Sequence, residues 1–354
     1  MQYIDTVMDS CWHSSSLLST VILACLYLLF QHGEPKIILF CTARTELRST
    51  PGPLYSESSP PLFHIDRLSA NELTIVTAYF HIGEFQKGAG ESKFTPELYR
   101  NWLTVFAQIK NPVVAYFDNA SDASLMRVLR KKHPKTRIIV IDRSKLWSFR
   151  VMEPRIAKIF SQKFYPWNPP NTVVSDYSAA MHAKYELMQW TIRDNPFQSA
   201  YVCWLDVGYF RDLLTQSNKT VDEKSFRLSL PAGLNNSSVA YSLVYSDEPK
   251  RWLSAKQIVT QNSVFACGGF FIGRVDVMWN WTTEYLTAVE RMVSEKWIST
   301  DQQVLYWLFF GQGYEKLKPR TCLQLYKSDG QINPWYYLGY LAKEAGEKKR
   351  TSPA

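Results

Sequence analysis

Tyr201–Val202–Cys203–Trp204–Leu205–Asp206–Val207–Gly208 is the stretch on which the fold turns. A β-rich apolar run ends abruptly in one carboxylate, and a glycine follows. In an open α/β sheet, ligands bind where strands end. An acid at that point is placed to hold a divalent metal against a substrate's phosphates. Far downstream, Thr300–Asp301–Gln302–Gln303 opens a helix with a second acid.

Working outward, strand patterns alternate with helical ones. Leu73–Tyr79 reads as a strand. Thr95 caps a helix whose first position is Pro96 and which runs to about Lys110. Pro112–Phe117 is a second strand, ending at Asp118, and Arg137–Ile141 a third, with the helix Asp122–Lys132 between them. Ser178–Arg193 follows as a helix. Met181, Tyr185, Met188 and Ile192 form its buried stripe, and His182, Glu186, Gln189 and Arg193 its polar face. After the strand Ala200–Leu205 come the strand Val239–Tyr245, the glycine-bracketed strand Gly268–Gly273, and helices over Asp276–Ser294 and Thr300–Phe310. This order predicts an α/β fold with a mostly parallel central sheet and helices on both faces.

The 354 residues suffice for one large α/β domain or two small ones. A hydrophobic fraction of 46% and a charged fraction of 20% exclude a disordered chain. The net charge of +8 suits a solvated surface or attraction to anionic substrates or lipid head groups. Nucleic acid is not expected, because the basic residues are not interleaved with aromatics along a stripe. None of the six cysteines forms a C-x-x-C pair, so a zinc site has no support. A disulfide among Cys41, Cys203, Cys267 and Cys322 is open if the body is lumenal.

Leu17–Phe30 is an uncharged apolar run that stops at Gln31–His32–Gly33–Glu34–Pro35. A signal anchor, a cleaved signal peptide and a buried helix compete for it. The first thirteen residues carry Asp5 and Asp9 and no basic residue, which favours the anchor. The expected organisation is a membrane helix over 1–31, a Pro/Ser-rich stem over 32–70, a globular domain over 71–342 and a basic tail over 343–354. Lys36, Arg44 and Arg48 would place the body in the cytoplasm. Glycosylation sequons at Asn119, Asn218, Asn235, Asn236 and Asn280 argue for the lumen of the Golgi or ER in a single-pass, type II arrangement, the orientation preferred here.

Each candidate residue has a plain structural role beside its chemical one. Asp206 is a turn-capping acid or a ligand of Mg²⁺ or Mn²⁺. Asp301 caps its own helix, where the dipole favours an acid, or takes part in catalysis. Lys184 extends to solvent or offers a cation to a phosphate or a sugar hydroxyl. Gly268 and Gly269 permit close packing or close approach of a sugar. His182 and Glu186 at helical spacing read as surface residues. No G-x-S-x-G, H-E-x-x-H or Walker A pattern is present.

The stretches Thr77–Gly83, Tyr99–Trp102, Met181–Lys184, Asn195–Phe197, Trp204–Arg211, Gly268–Gly273 and Ser299–Gln303 resemble the HtrL/YibB family. That family carries no settled activity. The order of parts also resembles, more loosely, the glycosyltransferases of the GT-A fold, especially the glycogenin-like retaining group. In that group a D-x-D follows the strand and a histidine ligand stands near the C-terminus. Here Asp206-Val207-Gly208 lacks the second acid, and no histidine follows His182. The resemblance implies transfer of a sugar from a nucleotide-sugar donor to a glycan or protein acceptor. Asp206 would hold the metal, Lys184 would meet the phosphates, and Asp301 would meet the donor sugar. Tyr79 and Asp118 would sit by the nucleotide. The alternative is a carbohydrate- or nucleotide-sugar-binding membrane protein without turnover.

Overall fold

The structure is a computed structural model that describes residues 27–28, 35–41, 61, 63–88, 93–215, 225–245 and 249–351. Its strands are β1 (Tyr27–Leu28), β2 (Lys36–Phe40), β3 (Ser69–Tyr79), β4 (Phe85–Gln86), β5 (Lys93–Phe94), β6 (Val113–Phe117), β7 (Thr136–Val140), β8 (Ser199–Leu205), β9 (Ser238–Leu243), β10 (Ala266–Arg274) and β11 (Cys322–Lys327). Nine of them form one sheet in the order β1-β2-β11-β9-β10-β8-β3-β6-β7, and β4 and β5 make a separate hairpin. Within the sheet only β2 and β10 run against the other seven strands. The sheet is thus mostly parallel, and β10 is the antiparallel insertion beside β8.

The helices are α1 (Pro96–Leu103), α2 (Ala120–Leu129), α3 (Glu153–Phe160), α4 (Ser175–Asp194), α5 (Ala255–Thr260), α6 (Val275–Ser294), α7 (Asp301–Phe309), α8 (Gly313–Leu317) and α9 (Tyr337–Thr351). They cover both faces. Val202 and Trp204 of β8 pack in one apolar cluster with residues of α3, α4, α6 and α7. Tyr201, Cys203 and Leu205 pack in the other, with residues of α1, α2 and α9. Every residue of β8 is buried, as a strand sandwiched between helical layers requires.

Helix α4 departs from its expected amphipathic reading. His182, Lys184, Glu186 and Gln189 are all buried, because α3, α6 and the helical turn at Ser148–Met152 enclose it. The supposed polar face is satisfied internally. Glu186 accepts from the Trp147 and Ser148 N–H groups at 2.8 and 3.1 Å. His182 lies 2.8 Å from the Tyr285 hydroxyl and 3.1 Å from the Ser299 carbonyl. The carbonyl can only accept, so Nε2 carries the proton and the ring is neutral. Burial drives its pKa down to about 3.

The regions on either side of the expected domain also differ. Lys36–Phe40, assigned to the stem, is a strand paired with β11, since its apolar residues complete the sheet edge. Cys41 is disulfide-bonded to Cys322, while Cys203 and Cys267 are buried free thiols. Position 343 lies inside α9 and not at the start of a separate tail. Most of the apolar run Leu17–Phe30 lies outside the described residues, apart from Tyr27–Leu28 in β1. Among the described residues no helix is long and apolar enough to cross a membrane.

Candidate functional site

The site begins with one local unit. Helix α4 ends at Asn195, whose φ of 32° lies in the left-handed region, where asparagine is tolerated as a C-cap. Its side chain then brackets Ser199, donating to the Ser199 carbonyl and accepting from the Ser199 N–H. This turn fixes where β8 starts relative to α4. Lys184 on the helix is thereby brought against Asp206 at the strand's end. The chain order supplies the second element. From β3 the chain moves to β6 and β7 on one side, then returns to lay β8 on the other side of β3. The crevice between β3 and β8 is a topological switch point, where open α/β sheets bind ligands.

A cleft of about 820 Å³ opens there. Tyr79, Lys184, Asp206, Gly268, Gly269 and Asp301 all line it, so six of the seven predicted site residues converge. Asp118 does not. Its carboxylate accepts from the His81 N–H at 2.9 Å and pairs with Arg143 at 3.1 Å, which steadies the turn after β3 and leaves no face toward the cleft. Tyr79 stacks on Tyr99 with ring centroids 5.2 Å apart. Burial first, then the charge of Asp122, pushes the Tyr79 phenol well above its ordinary value, so it stays a donor at neutral pH.

Lys184 is the hub. Its ammonium lies 3.1 Å from Asp206 Oδ1, 3.1 Å from Asp301 Oδ2 and 3.2 Å from the Gly268 carbonyl. An ammonium has three N–H donors, and they go to Asp206 Oδ2 at 3.4 Å, Asp301 Oδ2 and the Gly268 carbonyl. The side chain is 3% exposed. Burial alone would lower its pKa, but the charges of Asp206 and Asp301 outweigh that and raise it. The expectation that Lys184 meets a phosphate therefore fails on geometry: it is enclosed and saturated. Asp301 is equally occupied. Its Oδ2 faces Lys184 and its Oδ1 accepts from the Gln302 N–H, and it is 4% exposed. Thr300 and Gln303 complete the helix start through a 2.8 Å bond.

Asp206 is different. It is 38% exposed. Trp204 Nε1 donates to its Oδ1 at 2.6 Å and Lys184 donates to its Oδ2 at 3.4 Å, so the carboxylate reaches the cleft with both oxygens already engaged. The glycines are explained by these acids. A Cβ on Gly268 would stand 1.9 Å from Asp301 Oδ2, and one on Gly269 would meet the Tyr209 ring at 3.2 Å and Asp206 Oδ2 at 3.4 Å. Close packing of carboxylates, not approach of a sugar, demands Gly268.

For a resident metal the donor set is poor. The place between the two acids is taken by an ammonium, and both oxygens of Asp206 already accept from protein donors. Among the described residues no group of three His, Cys, Asp or Glu side chains converges. The metal expected at Asp206 does not fit these residues as they stand.

Two cleft cations had no role in the sequence reading. Lys87 stands on the β4–β5 hairpin with Nζ 5.6 Å from the rings of both Phe94 and Tyr177. Arg211 packs between Trp102 and Tyr336, with Cζ 5.3 and 5.2 Å from their ring centroids, and donates to the Gly208 carbonyl. Both are exposed. Arg211 closes the Trp204–Arg211 run and was within reach of sequence reasoning. Lys87 follows a loop without periodicity, and no local signal marks it.

A profile described as "Bacterial protein of unknown function (HtrL_YibB)" matches residues 71–312. No curated protein matches the sequence significantly. Among solved structures, mouse xyloside xylosyltransferase 1 in its apo form aligns over 73% of this chain and 85% of its own, at 10% identity and a TM-score of 0.35. Mannose-1-phosphate geranyltransferase from Thermus thermophilus aligns over 72% and 73%, at 8% identity and a TM-score of 0.27.

Proposed function

We propose a function for a chain that belongs to the HtrL_YibB family: it transfers a glycosyl group from a nucleotide-sugar donor to a hydroxyl acceptor in the cleft between β3 and β8. One observation carries the reading. A solvent-reachable carboxylate, Asp206, stands at the topological switch point of the sheet, inside an aromatic-walled cleft that also presents two exposed cations. Trp167 and Tyr245, exposed in the cleft lining, offer flat faces for a base or a sugar ring. Lys87 and Arg211 offer positive charge to a diphosphate. In the reaction the bond from the anomeric carbon to the phosphate oxygen breaks and its electron pair leaves with the diphosphate. The acceptor oxygen bonds to the anomeric carbon and loses its proton. The cations act where charge develops on the leaving group, which is where electrostatic help counts most. Asp206 Oδ2 accepts a hydroxyl hydrogen from donor or acceptor.

In the same reading the body sits in an oxidising compartment, the ER or Golgi lumen, tethered by the part of the apolar run that precedes β1. The Cys41–Cys322 disulfide supports this, as do the exposed positions of Asn235, Asn236 and Asn280. A second reading, binding without turnover, is favoured by the full engagement of Asp301, which leaves one reachable acid instead of two.

A thermal-shift screen of UDP-, GDP- and CMP-sugars tests the proposal, followed by donor hydrolysis and transfer assays on the hit. One donor should raise the melting temperature by mass action. Asp206→Asn should fold, keep most donor affinity and lose transfer. No shift with any donor would overturn the proposal, and binding without turnover in the wild type would establish the second reading.

A further inference from the structure

We infer that this cleft binds a nucleoside diphosphate without a divalent metal, the positive charge coming from Lys87 and Arg211 while Lys184 fills the place between the acids. The inference rests on the nucleotide-sugar reading and deepens it.

Three observations carry it. The first is occupancy. Lys184 stands 3.1 Å from a carboxylate oxygen of Asp206 and of Asp301, and its third donor goes to the Gly268 carbonyl. It cannot swing away cheaply, because its stem is buried in α4 and three acceptors would lose their partner together. The second is the donor set. Hard dications want several oxygen ligands, commonly one or two carboxylates with substrate phosphates. Neither oxygen of Asp206 is unpartnered, since Oδ1 accepts from Trp204 Nε1 and Oδ2 from the ammonium at 3.4 Å. A dication bound there would be set against a fixed positive charge in a half-buried site, where repulsion is weakly screened. The third is the charge balance of the lining. Lys87, Lys184 and Arg211 face Asp206 and Asp301. Lys184 is consumed by the acids, so the two exposed cations are the groups left to meet an anionic ligand.

Arg211 is built for this task. Its guanidinium is stacked between two rings and tied to the Gly208 carbonyl and the Tyr336 hydroxyl, which fixes its plane. Five N–H donors are available on that group, so further donors remain for phosphate oxygens. Lys87 lines the same cleft, on a hairpin entered through Gly83, whose φ is +82°; its ammonium is held first by Tyr177, with Asp206 and Lys184 acting on it more weakly. Lys184 is a positioning residue, holding Asp206 and Asp301 without touching ligand.

The experiment uses the full chain. Binding of UDP, GDP, CDP and ADP is measured by calorimetry in EDTA and again in millimolar Mn²⁺. The expected result is that one diphosphate binds with the same affinity, within about two-fold, under both conditions. Lys87→Ala and Arg211→Ala should each weaken that binding by roughly 10- to 100-fold, the range for a hydrogen bond to a charged group. Binding that appears only with Mn²⁺ would overturn the metal-free proposal and leave the nucleotide reading standing. Failure of all four diphosphates under both conditions would bring down both. A separate arm titrates Mn²⁺ alone, followed by its EPR signal. Wild type should leave the signal of free Mn²⁺ intact, and Lys184→Met should bind the ion through the vacated acid pair. Tight Mn²⁺ binding by wild type, lost in Asp206→Asn, also contradicts the proposal.

Discussion

Replacing Lys184 by methionine deletes the ammonium while keeping an unbranched apolar stem. Its consequence follows from burial. Lys184 is 3% and Asp301 4% exposed, so the variant leaves the Asp301 carboxylate enclosed with the Gln302 N–H as its remaining donor. Breaking a buried pair from one side costs about 3–5 kcal/mol. Asp206, at 38% exposure, is partly hydrated and adds little. Against a typical total of about 5–15 kcal/mol, this is a severe loss, and at about 1.5 °C per kcal/mol for a chain of this length the melting temperature falls by roughly 4–8 °C. A double variant, Lys184→Met with Asp301→Asn, removes the stranded charge and should recover most of the loss. The pH dependence adds a signature. In the wild type Lys184 is raised above the ordinary lysine value. Its contribution is therefore complete below about pH 10.4 and is lost only as pH climbs through the higher folded value. In Lys184→Met the enclosed acid has lost its counter-charge, so the stability gap to wild type should narrow as pH falls from neutrality toward 4. Urea unfolding of wild type, single and double variants at two pH values measures all of this. A single variant losing under about 1 kcal/mol, or a double variant no better than the single, would refute the buried-hub reasoning.

Gly268→Ala should destabilise by about 2–5 kcal/mol, because its Cβ would collide with a carboxylate held by Lys184; Gly269→Ala, with contacts of 3.2 Å and longer, should cost less, and parallel urea titrations rank them. Cys41→Ser should lower stability by about 2–4 kcal/mol, since the bond closes a loop 281 residues long, and dithiothreitol should move the wild-type melting curve toward the variant's. His182 has a folded pKa depressed to about 3, against about 6.5 unfolded. Its stabilisation is complete above pH 6.5 and fades as pH falls toward 3, by roughly 3 kcal/mol at pH 4. His182→Gln should therefore flatten that acid limb in pH-dependent unfolding.

The fold was legible because its information is local and periodic. Leu73–Tyr79, Pro112–Phe117, Arg137–Ile141 and Ala200–Leu205 carry strand patterns between helical ones, and the structure places strands at each. The stem misled because Lys36–Phe40 finds its partner in β11, at the far end of the chain, and no local pattern reports so distant a pairing. Helix α4 misled for a related reason. His182 and Glu186 look like surface residues until α6 and the Ser148–Met152 turn cover them with their own hydrogen-bonding groups. A polar residue on a helix face signals solvent only when nothing polar packs against it.

The site shows the same limit at finer scale. The sequence set Asp206 at a strand end, Asp301 at a helix start and Gly268 where close packing or a sugar's approach was expected, and all three line the cleft. What came close was the second acid. Whether two acids call for a metal or an ammonium depends on a residue 22 positions before the first of them, on a helix packed against α3, α6 and the Ser148–Met152 turn and joined to β8 through the Asn195 cap. Shift that cap and Lys184 no longer stands between the carboxylates. The pair would then repel, one acid would protonate or a cation would be recruited, and the cleft would become the metal site that strand-end acids ordinarily imply. The chemistry of this cleft therefore rests less on its acids than on the turn that delivers a lysine to them.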